Sequence, residues 1–211
     1  MKAIAAATAA LALAGAFASA VGAASTTGPP QRATVEVHGD WRIDVRTRTG
    51  RLVHSYRFHN EFAPTTGGEA LTSLLAGNAT VGGWNVELRT SGSVSCAASG
   101  SGRPAAHGGR SCYLRTSDYT LGPGVSAQDA PTVLNATAGP GGLILSGSVQ
   151  FYSYGGAASI DSVMTNVQMV SGSNHALETK TFTTRDLNAA NATISITDGM
   201  LVIVNITISF G

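Results

Sequence analysis

The closing segment of the chain, SITDGMLVIVNITISFG from Ser195 to Gly211, has the periodicity of a β-strand. After the turn residues Asp198-Gly199, apolar side chains occupy alternate positions, namely Val202, Val204, Ile206, Ile208 and Phe210. Successive side chains of a strand point to opposite faces of its sheet, so this spacing predicts a strand buried on one face. Such a regular two-residue period constrains the chain to a β-sheet fold.

The same alternation predicts further strands. Their approximate ranges are 35–45, 52–58, 84–88, 143–152, 160–170, 177–182 and 192–197. Pairing across the Asp198-Gly199 turn would place Ile194 and Ile196 beside the last strand. Residues 113–141 are rich in Pro, Gly and Asn and are expected to be mostly loop.

One segment, TTGGEALTSLLAGN at residues 65–78, has a helical pattern instead. Thr65 or Thr66 can cap its first turn, and Gly77 can end its last. The apolar stripe between them is formed by Leu71, Leu74 and Leu75. Many short strands and one helix predict an all-β fold, an antiparallel β-sandwich or jelly-roll-like arrangement with one short helix.

The N-terminal segment predicts export. Residues 1–23 contain a positive Lys2, a short run rich in Ala and Leu, and then small residues, which is the pattern of a cleaved signal peptide. Residues 24–34 include Pro29-Pro30 and are expected to form an extended arm. Residues 35–211 are expected to form a single β-sandwich domain. We therefore expect a secreted, extracellular or cell-surface protein without a membrane span after signal cleavage.

The charge of the chain is low and balanced. Charged residues make up 12% of the sequence, and the formal net charge is +1 before removal of Lys2. No overall field would attract nucleic acid, so no nucleic-acid partner is expected. A neutral, sparsely charged surface favours association with copies of itself, so a homo-oligomer or filament is expected.

Two cysteines, Cys96 and Cys112, bracket a segment rich in Gly and Ser. In an exported protein such a pair predicts a disulfide, here closing a loop at residues 96–112. The alternative is a metal site, but His107 alone between two thiols leaves that site without a fourth ligand. We expect the bridge to tether a surface loop.

The predicted hairpin at residues 35–60 offers a candidate metal site. A four-residue turn at residues 47–50 would pair positions whose numbers sum to 97, with Trp41 opposite Tyr56. The same register would bring two imidazoles and two carboxylates together on the polar face, as a zinc or copper site requires. These candidates are His38, His59, Glu36 and Glu61. The alternative is an ordinary solvent-facing surface, because a one-residue slip would move every side chain to the other face.

No catalytic motif is present in the sequence. It contains no Gly-x-Ser-x-Gly elbow, no His-Glu-x-x-His pair and no phosphate-binding loop followed by Lys. We therefore predict a non-enzymatic protein without catalytic residues or a cofactor. Carboxylate pairs that only folding brings together are not visible at this level.

Two segments resemble a known group of proteins. HNEFAPTTGGEALTSLLAGN at residues 59–78 resembles a stretch of small tail-fibre and virion-surface proteins of tailed phages, and residues 180–211 are similar to their ending. Together the two segments cover about a quarter of the chain. The resemblance implies a β-sandwich with a structural or surface-display role, and it assigns no catalytic residues. The signal peptide and the disulfide depart from that pattern and fit a secreted bacterial version.

The first functional hypothesis is a structural subunit. The arm could add itself as a strand to an exposed sheet edge of a neighbouring subunit, and a contact of this kind that does not close on itself builds a filament or surface layer. The candidate assembly residues are Val35, Val37, Val202, Val204, Ile206, Ile208 and Phe210.

The second hypothesis is a secreted carbohydrate- or ligand-binding module. Sandwich domains can bind sugars through exposed aromatic rings. The segment Phe151-Tyr152-Ser153-Tyr154 runs into two glycines, where rings can be exposed. Tyr152 and Tyr154 are accordingly the candidate ligand-binding residues, with a surface glycan as the possible partner.

Overall fold

The computed structural model describes residues 36–102, 108–121, 132–154, 157–172 and 175–210. The predicted all-β fold with one short helix is confirmed. The elements are β1 (Val37–Arg46), β2 (Leu52–Phe62), α1 (Thr66–Leu75), β3 (Ala79–Ala98), β4 (Gly109–Arg115), β5 (Thr132–Gly139), β6 (Gly142–Ser153), β7 (Ala158–Ser171), β8 (Ala176–Asp186), β9 (Ile194–Ile196) and β10 (Leu201–Phe210). The predicted signal peptide, the arm at 24–34 and Val35 lie outside the described residues.

The strands belong to one hydrogen-bonded sheet in the order β3-β4-β5-β6-β10-β1-β2-β8-β7-β9. Additional pairings of β3 with β6 and with β7 connect distant members of this order. The circuit β3–β7–β8–β2–β1–β10–β6 therefore closes on itself. Neighbouring strands are antiparallel, apart from a short parallel contact between β4 and β5.

The core lies between two groups of strands. We call β2, β1, β10, β6 and β5 the front layer, and β4, β3, β7 and β8 the back layer. Buried side chains from both layers form one cluster. Its members include Ile43, Val204 and Phe151 from the front layer and Leu88 and Val163 from the back layer. Two sheet layers with a shared core agree with the predicted sandwich.

Strand β3 passes from the back layer to the front layer. Residues Ala79 to Thr90 pair with β7, and residues Val94 to Ala98 pair with β6. Between them lies Ser91-Gly92-Ser93, where an added Cβ on Gly92 would come within 3.2 Å of Ala158 Cβ. The sequence predicted a strand only around Trp84 to Leu88, since alternation is lost at this bend.

The segment predicted as mostly loop, residues 113–141, contains the end of β4 and all of β5. The sequence did not predict these strands because few apolar residues mark them: Leu114 and Leu134 are buried, while Asn135 to Ala138 are exposed. Strand β4 is held by pairing with β3, and β5 is held by pairing with β6. Because these contacts join different segments, they leave little pattern in the sequence of either strand.

The register of the β1–β2 hairpin differs by two residues from the predicted one. Trp41 pairs with Phe58, and Ile43 pairs with Tyr56. The turn itself is where it was predicted, since Gly50 donates a backbone hydrogen bond to Thr47 O (2.9 Å) and adopts φ +87°. A left-handed Gly50 and a bulge at Val53 each add one residue to the second strand. Because the shift is even beyond the bulge, residues 54–60 keep their predicted faces, whereas Leu52 pairs with Arg46 and is 45% exposed.

The predicted pairing of residues 192–197 with the last strand was also wrong. Ile194 and Ile196 pair with β7, opposite Ile160 and Ala158, and both are buried. A hairpin with β10 would have placed the two isoleucines on the outer face of the front layer. Burial against β7 removes that apolar surface from water, and the turn at Gly199 (φ +76°) instead leads into the front layer.

Helix α1 covers an edge of β8. Thr66 donates its hydroxyl hydrogen bond to Thr181 O (2.7 Å), and Ala63 N donates to Phe182 O (3.0 Å). The N-cap residue Thr65 makes no side-chain cap hydrogen bond, whereas Gly77 (φ +70°) follows the helix end as predicted. Covering the edge of a strand in this way prevents it from pairing with another chain.

Two adjacent glycines of α1 should respond oppositely to alanine. An added Cβ on Gly67 would lie 2.7 Å from a Phe62 ring carbon and 2.8 Å from Phe182 O, whereas nothing lies within 4 Å of one on Gly68. We expect Gly67→Ala to lower the free energy of unfolding by about 1–3 kcal/mol. Gly68→Ala should raise it by about 0.5–1 kcal/mol. Urea unfolding of both variants tests this, and equal shifts would contradict the packing argument.

Candidate functional site

The two cysteines are bonded to each other and buried. Cys96 in β3 and Cys112 in β4 are 1% and 0% exposed, with Cα atoms 5.8 Å apart. The predicted disulfide is confirmed, but its sulfur atoms belong to the core rather than to a surface loop. Among the described cysteines none is free to act as a nucleophile or metal ligand.

The candidate metal ligands are not brought together. Residue 38 does not face residue 59, because Asp40 pairs with His59 in the actual register. His38 instead contacts Glu36 at 3.2 Å, and His59 contacts Asp40 at 2.5 Å. In the part of the chain that the structure describes, no group of three or more His, Cys, Asp or Glu side chains has metal-binding geometry. The predicted site depended on a register that the bulge at Val53 changes.

A different carboxylate on the hairpin is embedded in hydrogen bonds. Asp44 is 4% exposed and accepts two bonds from Arg42, at 3.0 and 2.9 Å, and one from Ser55 at 2.7 Å. Burial alone would raise the pKa of Asp44. The hydrogen bonds and the positive charges of Arg42 and Arg46 outweigh burial and lower the pKa. The network fixes the β1–β2 register next to its bulge.

This network predicts a pH dependence of stability. The folded-state pKa of Asp44 is below the unfolded value of about 3.9, so its contribution is present above that pH and is lost as the pH falls through the lower folded pKa. We expect Asp44→Asn to reduce the unfolding free energy by about 1–3 kcal/mol at pH 7. The difference from wild type should shrink below pH 4 in urea titrations. Exposed Asp118→Asn is the control, and a pH-independent difference would contradict the assignment.

The candidate ligand residue Tyr152 is buried rather than exposed. It is 6% exposed, and its hydroxyl donates to Gln150 Oε1 (2.9 Å), while Gln150 Nε2 donates to Gly199 O (3.1 Å). Tyr154 is half-buried. Tyr152 nevertheless lines a cavity of about 430 Å³ that Arg48 and Asp198 also line. The sequence shows that both rings precede two glycines, but it does not show that they are buried or half-buried in the folded protein.

A polar cluster on the back layer was not predicted. Glu87 is 6% exposed, and its Oε1 accepts hydrogen bonds from Arg89 Nε (2.8 Å), Ser111 Oγ (2.9 Å) and the Tyr113 hydroxyl (3.4 Å). Burial and the charge of Glu87 raise the pKa of Tyr113, and the hydrogen bond from Arg89 to Glu87 raises the pKa of Arg89. At neutral pH Tyr113 therefore keeps its proton and Arg89 its charge.

The cluster borders a shallow cavity of about 510 Å³. Asp161, on its far side, is the extra residue of a β7 bulge opposite Arg89 and Thr90, and it accepts a 2.6 Å hydrogen bond from Ser159. Arg110 also lines the cavity. Two carboxylates, two guanidinium groups and several hydroxyls give a neutral surface suited to hydrogen bonding with a polyhydroxy ligand. The cavity combines residues of β3, β4 and β7, so only the pairing of β3 with both other strands reveals it.

The candidate assembly residues lie mostly in the core. Val202, Val204, Ile206 and Ile208 are at most 1% exposed, and β10 is hydrogen-bonded to β1 on one edge and to β6 on the other. Val37 is buried and pairs with Phe210, which is 51% exposed. The last strand therefore offers no free edge to another subunit.

Free strand edges lie elsewhere. Among the described strands, β2 has a neighbour on its outer edge only at Glu61 and Phe62, and β5 has one only at Thr132 and Val133. The β2 edge carries exposed Arg57 and His59, and Arg185 donates a hydrogen bond to His59 O (2.6 Å). We use the name "β5 edge" for the side of Leu134–Gly139 that faces away from β6. No charged residue occurs between Asp129 and Asp161, so β5 itself carries no charged side chain at this edge.

The fold and these surfaces define an all-β protein with a buried disulfide and an uncharged free edge. Comparisons of the chain with protein-family models, curated proteins and solved structures find no match. Within the described ranges, no helix has the length and apolar character needed to cross a membrane.

Proposed function

We propose that this chain is an exported, non-enzymatic structural protein whose copies assemble into a filament or surface layer by strand addition. The observation that carries the proposal is the β5 edge. Natural proteins protect such edges with charge, proline, bulges or a covering element. In this chain α1 covers β8 and charged side chains accompany β2, whereas Asn135, Ala136, Thr137 and Ala138 are exposed and uncharged.

Three sequence features support an extracellular structural role. The predicted signal peptide directs the chain to an oxidising compartment, where the Cys96–Cys112 bridge can persist. The predicted arm at 24–34 precedes β1 and can act as the added strand. The resemblance of residues 59–78 and 180–211 to tail-fibre proteins implies the same class of role. We propose a homo-oligomer at the cell surface or outside the cell.

Light scattering and negative-stain electron microscopy of the mature chain, residues 24–211, test the proposal. We expect filaments or large oligomers for the wild type. Deletion of residues 24–34 or a Thr137→Lys substitution at the β5 edge should reduce the assembly to small species. Thr207→Lys is the matched control, because Thr207 and Thr137 both lie opposite Ile144, but β10 is paired on both edges. A monomeric wild type would refute the proposal.

A carbohydrate- or ligand-binding module is the second candidate, favoured by the neutral cavity beside Glu87. Tyr113 is half-buried at this cavity and can present part of its ring to a sugar. Screening on a glycan array tests this candidate. Binding that is lost in Tyr113→Ala but kept in Tyr154→Ala would support it and place the ligand at Glu87. Loss in Tyr154→Ala alone would place the ligand at the residues 151–156 instead.

A further inference from the structure

We propose that the β5 edge pairs with the β5 edge of a second copy, antiparallel, with Thr137 on the twofold axis. This inference rests on the proposed self-assembly and names the partner of the free edge. The partner segment is the same strand, so the contact uses only residues that the structure describes.

The hydrogen-bonding pattern of the β5–β6 hairpin shows which groups are available. Gly139 and Gly142 bracket the two-residue turn Pro140-Gly141 and pair with each other, so their backbone groups bond across the hairpin. Hydrogen-bonding direction alternates along a strand. Thr137 therefore also bonds to β6, whereas the N–H and C=O groups of Ala136 and Ala138 point away from it.

These free groups determine the register. Leu134 also points away from β6, but Arg115 of β4 lies opposite Val133 and in a parallel pair bonds to the residues that flank Val133, which include Leu134. Ala136 and Ala138 are therefore the free residues, and they are symmetric about Thr137. In an antiparallel self-pairing each copy's Ala136 exchanges two hydrogen bonds with Ala138 of the other. The two Thr137 side chains then face each other as a closely spaced, non-hydrogen-bonded pair, an arrangement in which threonines stabilise a sheet. In a register shifted by one residue, the free backbone groups of one copy would face residues of the other copy whose backbone groups already bond to their own β6.

Charge and size also favour self-pairing of β5 over self-pairing of β2. Two copies of the β2 edge would bring the charged Arg57 side chains of both chains close together. Like charges directly opposite each other destabilise strand pairs. The self-pairing centred on Thr137 brings together residues 135–139, whose side chains are uncharged and no larger than Asn, so the strands can approach closely without desolvating a charge. The pairing joins two front layers into one continuous sheet.

The symmetry of this contact limits what it can build. A twofold contact uses the same surface on both copies, so it produces a closed dimer and leaves no copy of that surface free for a third chain. Growth beyond a dimer therefore requires a second, different contact, which the arm at 24–34 can supply by adding to an edge other than the β5 edge. Deletion of the arm should leave dimers, whereas Thr137→Lys should remove the dimer contact itself.

Disulfide trapping tests the register directly. In the mature chain, Thr137→Cys places two thiols opposite each other with Cα atoms about 4.5 Å apart, within disulfide range. Under mild oxidation we expect most of the Thr137→Cys protein to become a covalent dimer on non-reducing gels. Asn135→Cys is the matched control on the same strand and face, because its two thiols would lie four positions apart.

The outcomes separate this inference from the proposed function. A covalent dimer for Thr137→Cys with little for Asn135→Cys supports β5 self-pairing. If filaments form but Thr137→Cys does not cross-link and Thr137→Lys leaves the filaments unchanged, β5 self-pairing is overturned. The proposed structural role would still stand. A wild type that stops at a dimer would keep β5 pairing and refute the filament. Monomers in every sample would refute both.

Discussion

Replacing Phe182 by alanine should lower the free energy of unfolding by about 4 kcal/mol, because the removed ring fills the junction that closes the strand circuit. Phe182 is 2% exposed. Its ring packs edge-on against Phe62 (5.4 Å between centroids), Trp84 (5.5 Å) and Phe210 (6.5 Å). One side chain in β8 therefore contacts β2, β3 and β10. Its loss leaves a cavity that surrounding strands fill only in part.

The position of this junction explains the size of the effect. Strand β2 pairs with β8 through only two residue pairs, Glu61 with Thr184 and Phe62 with Thr183. Backbone hydrogen bonds there are few, so the aromatic cluster has to hold the two strands together. Aromatic pairs in edge-to-face geometry add about 0.5–1.5 kcal/mol beyond the area that they bury.

Chemical denaturation in the Thr137→Lys background tests the Phe182 prediction, because self-association would otherwise add to the apparent stability. Leu75→Ala is the control, since Leu75 lies on the neighbouring helix and is 77% exposed. Its substitution should change the unfolding free energy by less than about 0.5 kcal/mol. A Phe182→Ala loss no larger than that of Leu75→Ala would contradict the role of the junction.

Local patterns in the sequence correctly predict the strands with a strong apolar period. Strand β10 is the clearest case, because four alternating side chains are buried in the core. The helix ending at Gly77 was also predictable, since a residue with positive φ favours glycine. These features depend on interactions within one segment, where sequence spacing and spatial spacing agree.

The errors come from contacts between distant segments. Strand β9 was expected to pair with its neighbour in sequence, but Ile194 gains more burial beside Ile160 of β7. The hairpin register was missed because a bulge at Val53 has no distinct sequence signal. Even a two-residue error in register removed the candidate metal site at His38 and His59, since ligand geometry tolerates no such displacement.

The surfaces that carry the proposals were not predictable for the same reason. In the sequence, Glu87 is an ordinary polar residue of a strand. Only the folded structure shows that Ser111 and Tyr113 of β4 lie beside it and hydrogen-bond to it. The β5 edge lies in a segment expected to be mostly loop, and only the strand pairings show that, among the described residues, β5 has no partner on that side beyond Val133. The sequence did show the absence of charge from 130 to 160, but its meaning depends on that topology.

Loss of the Cys96–Cys112 disulfide should lower the unfolding free energy by about 3 kcal/mol, because the bridge closes a loop with a sequence separation of 16. In the chain-entropy account, the cross-link restricts the unfolded chain more than the folded one. The effect should be fully expressed here, because β3 pairs with β4 on both sides of Cys112 and with β6 on both sides of Cys96, so both cysteines are held in place.

The measurement compares oxidised and reduced wild type, which contain the same heavy atoms in the core and differ by the S–S bond and two thiol hydrogens. Both sulfur atoms are buried, so reduction should be carried out on the unfolded chain before refolding. Urea unfolding should give a lower midpoint for the reduced protein. The Cys96→Ala/Cys112→Ala variant should be insensitive to reductant, and it should be less stable than reduced wild type because it also leaves a cavity where the sulfur atoms were. Equal midpoints for oxidised and reduced wild type would mean that pairing of β3 with β4 already restricts the unfolded chain as much as the bond does.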